Sequence, residues 1–311
     1  MADRIGVDIG GSFVKAGIVS AGGLVLRQAE PVPTVDGPGV VAGVLALVEG
    51  LLASRPGIGG IGISSCGIVD SRRGVVVDSV SVPGYTGTDW KTRLGGFGLP
   101  IVVENDARAA AWAEYRLRED RAVKDWIHLP LGTSIGSGII VGGRLWRGRG
   151  HSAGEIGHVT VEAGGPVCSC GNVGCLELYV SNESLLNYVA AELANGRASS
   201  LNGAGVLDLQ RLSEAEHGGD ALAREAFERM GHYLGIGLTT MVNLFNPAVV
   251  TIGGGTAQAS ETILRAARAH VETHALGPAQ RGLRIIPGRL GNHAGFVGAA
   301  LLTGGKSSFA L

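Results

Sequence analysis

A strand–turn–strand pattern occurs twice in this chain, and it narrows the fold more than any other feature. Residues 4–28 alternate apolar runs of strand length with a glycine turn and then a Gly-Gly turn, and residues 126–146 repeat that order. Apolar runs bounded by such turns are typical of β-strands. The two stretches share turn placement more than residue identity, which favours an internal duplication. Two related α/β halves would leave a cleft that suits a ligand.

Helical stretches separate and follow these strands. A helix is expected over residues 38–54, because Arg55-Pro56 disfavours its continuation. Further helices are expected over residues 106–118, 182–195, 220–245, 258–274 and 295–302. Strands are expected over residues 58–65, 75–82 (one strand or a pair of short ones), 100–105, 247–255 and 283–290. This order predicts an α/β fold.

The composition limits the class of partner. A chain of 311 residues has room for about two domains. With 26 basic and 27 acidic residues, the formal net charge of -1 gives no electrostatic basis for binding nucleic acid or an anionic membrane. The apolar stretch at 40–48 is too short to span a bilayer, and the N-terminus lacks the basic region of a signal peptide. We therefore expect a cytoplasmic protein that binds neither nucleic acid nor membrane.

Three of the four cysteines fall close together, a short distance after a histidine. Three thiolates and an imidazole are the donors of a four-coordinate structural zinc site. The expected metal ligands are His158, Cys168, Cys170 and Cys175. Gly171 and Gly174 allow the tight turns that such close ligands need. The alternative is a chance cluster of free cysteines, since Cys168 and Cys170 are too close for an easy disulfide.

Two acidic residues flank this cluster, namely Glu155 and Glu177. We therefore expect the metal to brace a polar pocket and not to close an isolated finger. The remaining cysteine, Cys66, stands alone and is interpreted as a small buried residue.

Three glycine-rich turns could hold phosphate groups, because they present backbone N–H groups without a Cβ in the way. They are Asp8-Ile9-Gly10-Gly11-Ser12, residues 132–138 and Gly253-Gly254-Gly255. Taken singly, each could equally be an ordinary hairpin. Asp8, at the end of an apolar strand, is suited to holding Mg²⁺ through water.

The strand at 100–105 runs directly into an alanine-rich helix through Glu104-Asn105-Asp106. Either Asn105 or Asp106 would make a good helix N-cap. A carboxylate at a strand end that faces a cleft could also take a proton from a sugar hydroxyl as it attacks phosphorus. The two interpretations are compatible.

Together these motifs resemble the ROK sugar kinases, which belong to the actin/hexokinase/Hsp70-like ATPase fold. The resemblance rests on DIGGSFVKAG, LGTSIGSGII, VVENDARAAAWAE, AGEIGHVTVEAGGPVCSCGNVGCLE, NLFNPAVVTIGGG and GNHAGFVGAALL, in that order. It implies an α/β chain with two actin-like ATPase (ribonuclease H-like) domains flanking a cleft, and a zinc-bound loop. The smaller domain would comprise residues 1–107 and about 292–311, and the larger one residues 108–291 with the zinc site and the adenosine segment.

The same resemblance assigns roles to residues. Asp106 would be the catalytic base. The sugar hydroxyls would be bound by Gly84, Asn105, Asp106, Glu155, His158 and Glu177, with His158 also a zinc ligand. ATP would be bound by Asp8, Gly10, Gly11, Ser12, Gly132, Thr133, Gly254 and Gly255. Ser134 and Ser137 stand where the family usually has glycine, so a positive φ at Ser134 would be adopted at some cost.

The activity implied is ATP-dependent phosphorylation of a hexose at its 6-hydroxyl, with catalytic Mg²⁺ and structural Zn²⁺. Glucose leads because Glu155 in AGEIGH matches the glucokinase-like form, and N-acetylmannosamine or fructose are alternatives. A catalytically inactive sugar sensor or a transcriptional regulator is a further alternative. Family regulators carry a helix-turn-helix ahead of the first phosphate motif, whereas only seven residues precede Asp8 here. A homodimer or homotetramer is expected by resemblance alone.

Overall fold

The computed structural model describes residues 2–120, 122–203 and 205–304. They form two compact units. The first comprises the residues up to His128, Gly138–Gly154 and those from Asn292 onward, and the second comprises Leu129–Ser137 and Glu155–Gly291. The domain boundary expected at residues 107 and 108 stays a prediction, and residues 305–311 of the expected C-terminal segment lie outside the described residues.

The strands are β1 (Arg4–Ile9), β2 (Phe13–Val19), β3 (Val25–Gln28), β4 (Val32–Pro33), β5 (Ile61–Ser65), β6 (Ile68–Asp70), β7 (Val75–Asp78), β8 (Ile101–Asn105), β9 (Trp126–Pro130), β10 (Gly138–Val141), β11 (Arg144–Leu145), β12 (Val249–Gly253) and β13 (Arg284–Pro287). The helices are α1 (Gly37–Ser54), α2 (Trp90–Leu94), α3 (Asp106–Arg116), α4 (Glu177–Val180), α5 (Asn182–Ala194), α6 (Leu209–His217), α7 (Ala221–Phe245), α8 (Gly255–Ala259), α9 (Glu261–His274), α10 (Gly277–Gln280) and α11 (Ala294–Leu302).

The main sheet of the first unit has the order β3-β2-β1-β5-β8, with β4 paired to β2. The β1–β2–β3 part is an antiparallel meander, whereas β1, β5 and β8 are parallel. Their register aligns Asp8 with Ser64 and Glu104, one residue before the carboxyl ends of the three strands. In parallel sheets this edge is where ligands bind.

Helix α1 begins where the sequence predicted and ends before Pro56. The Asp36 side chain caps it by accepting a hydrogen bond from the Gly39 N–H at 2.7 Å. Its buried residues repeat at helical spacing and pack in the apolar core of the first unit: Val40, Val44, Val48 and Leu51. Among the described residues, α1 is long and apolar enough to cross a membrane by length and composition alone, a test that the core helix of a soluble protein also passes.

Helix α11 crosses β1, β5 and α3 at very short range, and glycine residues at the crossing permit this. A Cβ on Gly62 would lie 1.9 Å from the Ala299 carbonyl oxygen, and one on Gly298 would lie 1.8 Å from that of Ala109. No heavy side-chain atom fits at such separations, so glycine is required on both sides of the crossing. Much of the high glycine content, 53 residues, therefore serves close packing as well as turns.

The second strand–turn–strand pattern also forms an antiparallel meander, β9–β10–β11. It repeats β1–β2–β3 in order and pairing, which supports the predicted duplication. In the second unit β12 and β13 pair in parallel, and the long helix α7 packs along α9.

Several elements differ from the sequence prediction, among them four short ones that were not predicted, namely β4, β6, α4 and α10. The helix expected over 258–274 is two helices, because Ser260 is extended and its hydroxyl caps α9 by accepting from the Thr262 N–H at 3.1 Å. The strand expected over 75–82 ends at Asp78. Helix α6 was not predicted, although Asp208 caps it in the usual way.

Candidate active site

Asp8 lies at the carboxyl edge of the first unit's sheet. Its Oδ1 accepts a hydrogen bond from the Ser64 hydroxyl at 2.6 Å, as the strand register requires. Desolvation by burial raises the pKa of Asp8, against the lowering effects of Ser64 and Lys15. Next to it, the Gly10 N–H donates to the Phe13 carbonyl at 3.1 Å and closes the first glycine turn, on which Gly11 and Ser12 are exposed. A carboxylate beside exposed backbone groups suits a hydrated cation and phosphate oxygens.

Asn105 and Asp106 form the junction between β8 and α3. Of the two predicted candidates for the N-cap, Asn105 is the one that caps α3, and its Oδ1 accepts from the Arg108 N–H at 3.2 Å. Its Nδ2 donates to Asp106 Oδ1 at 2.9 Å and to the Gly67 carbonyl at 3.1 Å. Asp106 Oδ1 also accepts from the Ala107 N–H at 2.7 Å. The partly exposed Asp106 carboxylate is therefore held in one orientation, as a general base must be.

The loop that carries Gly84 reaches the same strand ends through Tyr85. The buried hydroxyls of Tyr85 and Ser65 lie 2.8 Å apart, and Trp90 Nε1 donates to the Tyr85 hydroxyl at 2.9 Å. Gly84 itself has φ 70°. Cys66 is buried, as predicted, and burial followed by the charge of Asp106 raises the pKa of its thiol to about 11. Cys66 therefore stays a protonated, unreactive thiol near neutral pH.

In the second unit, the other two glycine turns meet. A Cβ on Gly254, at φ 90°, would lie 2.2 Å from the Leu131 carbonyl oxygen, immediately before Gly132 and Thr133. The Leu131 N–H donates to the Gly253 carbonyl at 2.8 Å. Gly132, Thr133, Gly254 and Gly255 thus lie together at the start of α8. Ser134 does not require left-handed backbone, since the described non-glycine residues with positive φ are His151 and Asn246.

A cavity of about 650 Å³ opens beside the other end of α8. It is lined by Leu209, Gln210, Ser213, Glu214, His217 and Ala259. The Ser213 hydroxyl donates to the Ala259 carbonyl at 2.6 Å and joins α6 to α8. This cavity has apolar and polar lining residues. The short helix α8 separates it from the paired glycine turns.

The predicted metal ligands converge in the second unit. The donor atoms of His158, Cys168, Cys170 and Cys175 all lie within 4.8 Å of one another. Cys168 Sγ lies 3.8 Å from His158 Nδ1, and Cys170 Sγ lies 3.7 Å from Cys175 Sγ. Burial acts to raise the pKa of Cys168, but hydrogen bonds from the Cys170 N–H, His158 and the two other thiols lower it to about 7. Soft donors at this spacing fit zinc.

Two further candidate sugar ligands, Glu155 and Glu177, lie near His158. The His158 N–H donates to the Glu155 carbonyl at 3.1 Å in the 3₁₀ turn Ile156–His158. A Cβ on Gly157, the residue before His158, would lie 3.6 Å from the Cβ of Glu177. Glu155 is therefore near His158 along the chain, and Glu177 is near it in space. The second unit thus holds Glu155, His158 and Glu177, whereas Gly84, Asn105 and Asp106 belong to the first.

Sequence reasoning missed a buried ion cluster beside Asp106. Glu104 is fully buried and pairs with Arg108 at 2.8 Å and Arg147 at 2.7 Å. One signal was available, since Arg108 follows Glu104 by four residues at the start of an otherwise alanine-rich helix. Nothing in the sequence connects Arg147 to either.

Comparisons with known proteins assign the chain to a family. The profile of the ROK family matches residues 4–306. A glucokinase from Streptomyces coelicolor is 34% identical over 96% of this chain and 97% of its own length. The structure of a ROK family glucokinase from Streptomyces griseus in complex with glucose and AMPPNP superposes with TM-score 0.85 at 34% identity, covering 96% of this chain and 98% of the other.

A ROK family transcriptional regulator, a homologue of the Escherichia coli MLC protein, superposes with TM-score 0.88 at 27% identity. That match covers 97% of this chain and 78% of the regulator. The family thus contains both enzymes and regulators on one fold. The chain belongs to the ROK family, and its α/β fold is that family's two-domain actin-like ATPase fold.

Proposed function

We propose that the protein is an ATP-dependent sugar kinase that phosphorylates the 6-hydroxyl of a hexose, with glucose as the substrate. The observation that carries the proposal is the Asp106 carboxylate, fixed by the Ala107 N–H and the Asn105 amide where β8 ends. The similarity to glucokinases over almost the whole chain supports the same activity.

In this proposal Asp106 accepts the proton of the sugar hydroxyl as it attacks the γ-phosphorus of ATP. The sugar is oriented by Gly84, Asn105, Glu155, His158 and Glu177. The backbone N–H groups of Gly10, Gly11, Ser12, Gly132 and Thr133 bind phosphate oxygens, and Gly254 and Gly255 bind the nucleoside. Asp8 would hold Mg²⁺, which when bound neutralises charge on the phosphates.

The three cysteines and His158 would hold a structural zinc ion, and their converging donor atoms support this. When bound, the ion would supply a cross-link and no chemistry. The cross-link would fix the His158 ring, so that its second ring nitrogen could hydrogen-bond a sugar hydroxyl. Tyr179, on the helix that follows Cys175, stacks on Tyr233 of α7 with ring centroids 4.1 Å apart and joins this region to the second unit's longest helix.

Glucose is favoured over other sugars by Glu155 in AGEIGH and by the glucokinase relatives. N-acetylmannosamine and fructose are the alternatives. We place the reaction in the cytoplasm and propose a homodimer or homotetramer.

The test is ADP release by purified protein with ATP and Mg²⁺ over glucose, N-acetylmannosamine, N-acetylglucosamine, mannose and fructose. We expect glucose to stimulate ADP release most. The Asp106→Asn protein, purified in the same way, should still bind glucose but lose roughly a hundredfold or more of kcat, since general base catalysis is worth about 10²–10⁴-fold. Turnover close to wild type in Asp106→Asn would remove Asp106 from this role.

A sugar-responsive regulator is the second candidate, favoured by the similarity to the ROK family transcriptional regulator. The same assay separates the two. Saturable glucose binding by calorimetry, without ADP release for any sugar, would favour the regulator and overturn the kinase.

A further inference from the structure

Three charged side chains form a buried cluster behind the candidate base. Glu104 Oε1 accepts hydrogen bonds from Arg108 Nε at 2.8 Å and from the Ser71 hydroxyl at 2.9 Å. Glu104 Oε2 accepts from Arg147 Nε at 2.7 Å. Burial acts to raise the pKa of Glu104, but the two guanidinium groups outweigh it and hold that pKa below its ordinary value. The carboxylate therefore stays charged at neutral pH.

The cluster is connected directly to the Asn105–Asp106 junction. Glu104 Oε1 also accepts from the Asn105 N–H at 3.0 Å, and the Arg108 N–H donates to Asn105 Oδ1 at 3.2 Å. Asn105 in turn donates to Asp106 Oδ1. A change in the position of Glu104 or Arg108 is therefore passed to the Asp106 carboxylate through a single residue.

The same cluster holds the loop at residues 147–154. Arg147 begins this loop, and its carbonyl accepts from the Ala153 N–H at 3.1 Å. Arg108 Nη1 donates to the His151 carbonyl at 2.9 Å. His151 has φ 59°, a left-handed conformation that a non-glycine residue keeps only when its surroundings enforce it. The next residue after the loop is Glu155.

We propose that Arg147 and Arg108 are positioning residues, which act through Glu104 to hold the Asn105–Asp106 junction and the loop at residues 147–154 in one arrangement. Neither arginine is assigned contact with sugar or ATP. The proposal rests on the proposed function, because it takes Asp106 as the base.

A role in folding alone explains the cluster poorly. Two positive charges and one negative charge are buried together, and buried ion pairs are weak contributors to stability compared with apolar packing. They do impose fixed geometry, because each guanidinium must meet its acceptors in one plane. Fixed geometry is what a general base requires, since a displacement of about 1 Å can reduce the rate roughly a hundredfold.

The test compares Arg147→Met with Arg147→Lys and Arg149→Met. Arg149 lies in the same loop but is exposed, so its variant is the matched control. In Arg147→Met we expect kcat to fall about a hundredfold and the KM for glucose to rise, while the KM for ATP stays unchanged. Arg147→Lys keeps the charge and should recover part of the loss, and Arg149→Met should match wild type. A folded Arg147→Met with wild-type kcat and glucose KM would overturn the proposal.

Hydrogen–deuterium exchange gives a readout that does not need turnover. Arg147→Met should exchange faster than wild type across residues 147–153 and also across 105–108, and Arg149→Met should not. Unchanged exchange at 105–108 would overturn the proposal even if the protein had no kinase activity. If Arg147→Met does not fold, Glu104→Gln and Arg147→Lys carry the same comparison. Absence of ADP release in the wild type would count against the proposed function and leave this exchange test intact.

Discussion

Asp8 shows how one residue can depend on a neighbour that has no side chain. A Cβ on Gly295 of α11 would lie 2.4 Å from the Asp8 carboxyl carbon, so Gly295→Ala must displace either the carboxylate or the helix. We expect a loss of about 1–3 kcal/mol in the free energy of unfolding, as for other overpacked sites. If Asp8 holds Mg²⁺, the KM for ATP should also rise. Urea unfolding and initial-rate kinetics measure the two effects.

The matched control is Gly50→Ala in α1. No heavy atom lies within 4 Å of a Cβ there, and the residue is exposed, so alanine should stabilise the helix by roughly 0.5–1 kcal/mol. If both variants change stability alike, packing against Asp8 is not what requires glycine at 295.

Single residues were predicted best where their neighbours in sequence decide their role. The cysteine cluster follows from spacing alone, and the sequence limited the cap of α3 to Asn105 or Asp106; the structure agrees with both predictions. Arg147 could not be found in this way, because its partner Glu104 is brought to it by tertiary folding. Likewise, the sequence gives no sign that His151, and not Ser134, has left-handed backbone.

At the scale of elements, the loop that carries the cysteines depends on two glycines for different reasons. Gly174 has φ 65°, and a Cβ there would lie 1.7 Å from the Glu162 carbonyl oxygen. Gly171 has φ 88°, but nothing lies within 4 Å of its Cβ position. Gly174→Ala should therefore open the loop and lose bound zinc, whereas Gly171→Ala should keep zinc at a strain cost of about 1 kcal/mol.

Elemental analysis and melting temperature, with and without a chelator, distinguish these cases. Wild type and Gly171→Ala should contain about one zinc per chain and melt lower after chelation. Gly174→Ala should melt low in both conditions. A metal-free wild type of unchanged stability would contradict the zinc assignment itself.

The predicted boundaries of an element agree with the structure where the sequence carries a strong local signal. Helix α1 has both an Asp36 cap and a Pro56 stop, and its predicted bounds agree to within one residue. The break between α8 and α9 depends on Ser260 alone. From the sequence, a serine within an amphipathic stretch is equally compatible with a helix cap and with the interior of one continuous helix. Such a capping residue identifies a helix boundary only when the packing of both helices is known.

At the scale of the molecule, the duplicated meander and the family motifs predicted the fold class, but not the close crossing of α11. That crossing depends on glycines in β5 and α11 that are far apart in sequence. Taken alone, each glycine indicates only a turn or a locally weaker strand or helix. The joining of residues from about 292 onward to the N-terminal part came from the family resemblance, because no local pattern in the sequence links two segments so far apart, and the compact first unit also includes both segments.

The stability of the whole molecule should depend on pH through His128 in β9. Burial lowers the pKa of this fully buried histidine to about 3. In the unfolded chain its pKa is about 6.5, so between these values the unfolded state binds a proton that the folded state does not. Stability is therefore highest above about pH 6.5 and falls as the pH decreases, at up to about 1.4 kcal/mol per pH unit.

His128→Gln removes this titration and leaves the other histidines in place. Between about pH 7.5 and pH 5, wild type should lose about 2 kcal/mol more of its free energy of unfolding than His128→Gln. Urea unfolding followed by tryptophan fluorescence measures both curves. Glu104, whose low pKa also links folding to pH, adds its loss only at more acidic pH and equally in both proteins. Parallel curves would mean that His128 is protonated in the folded protein or that water reaches it.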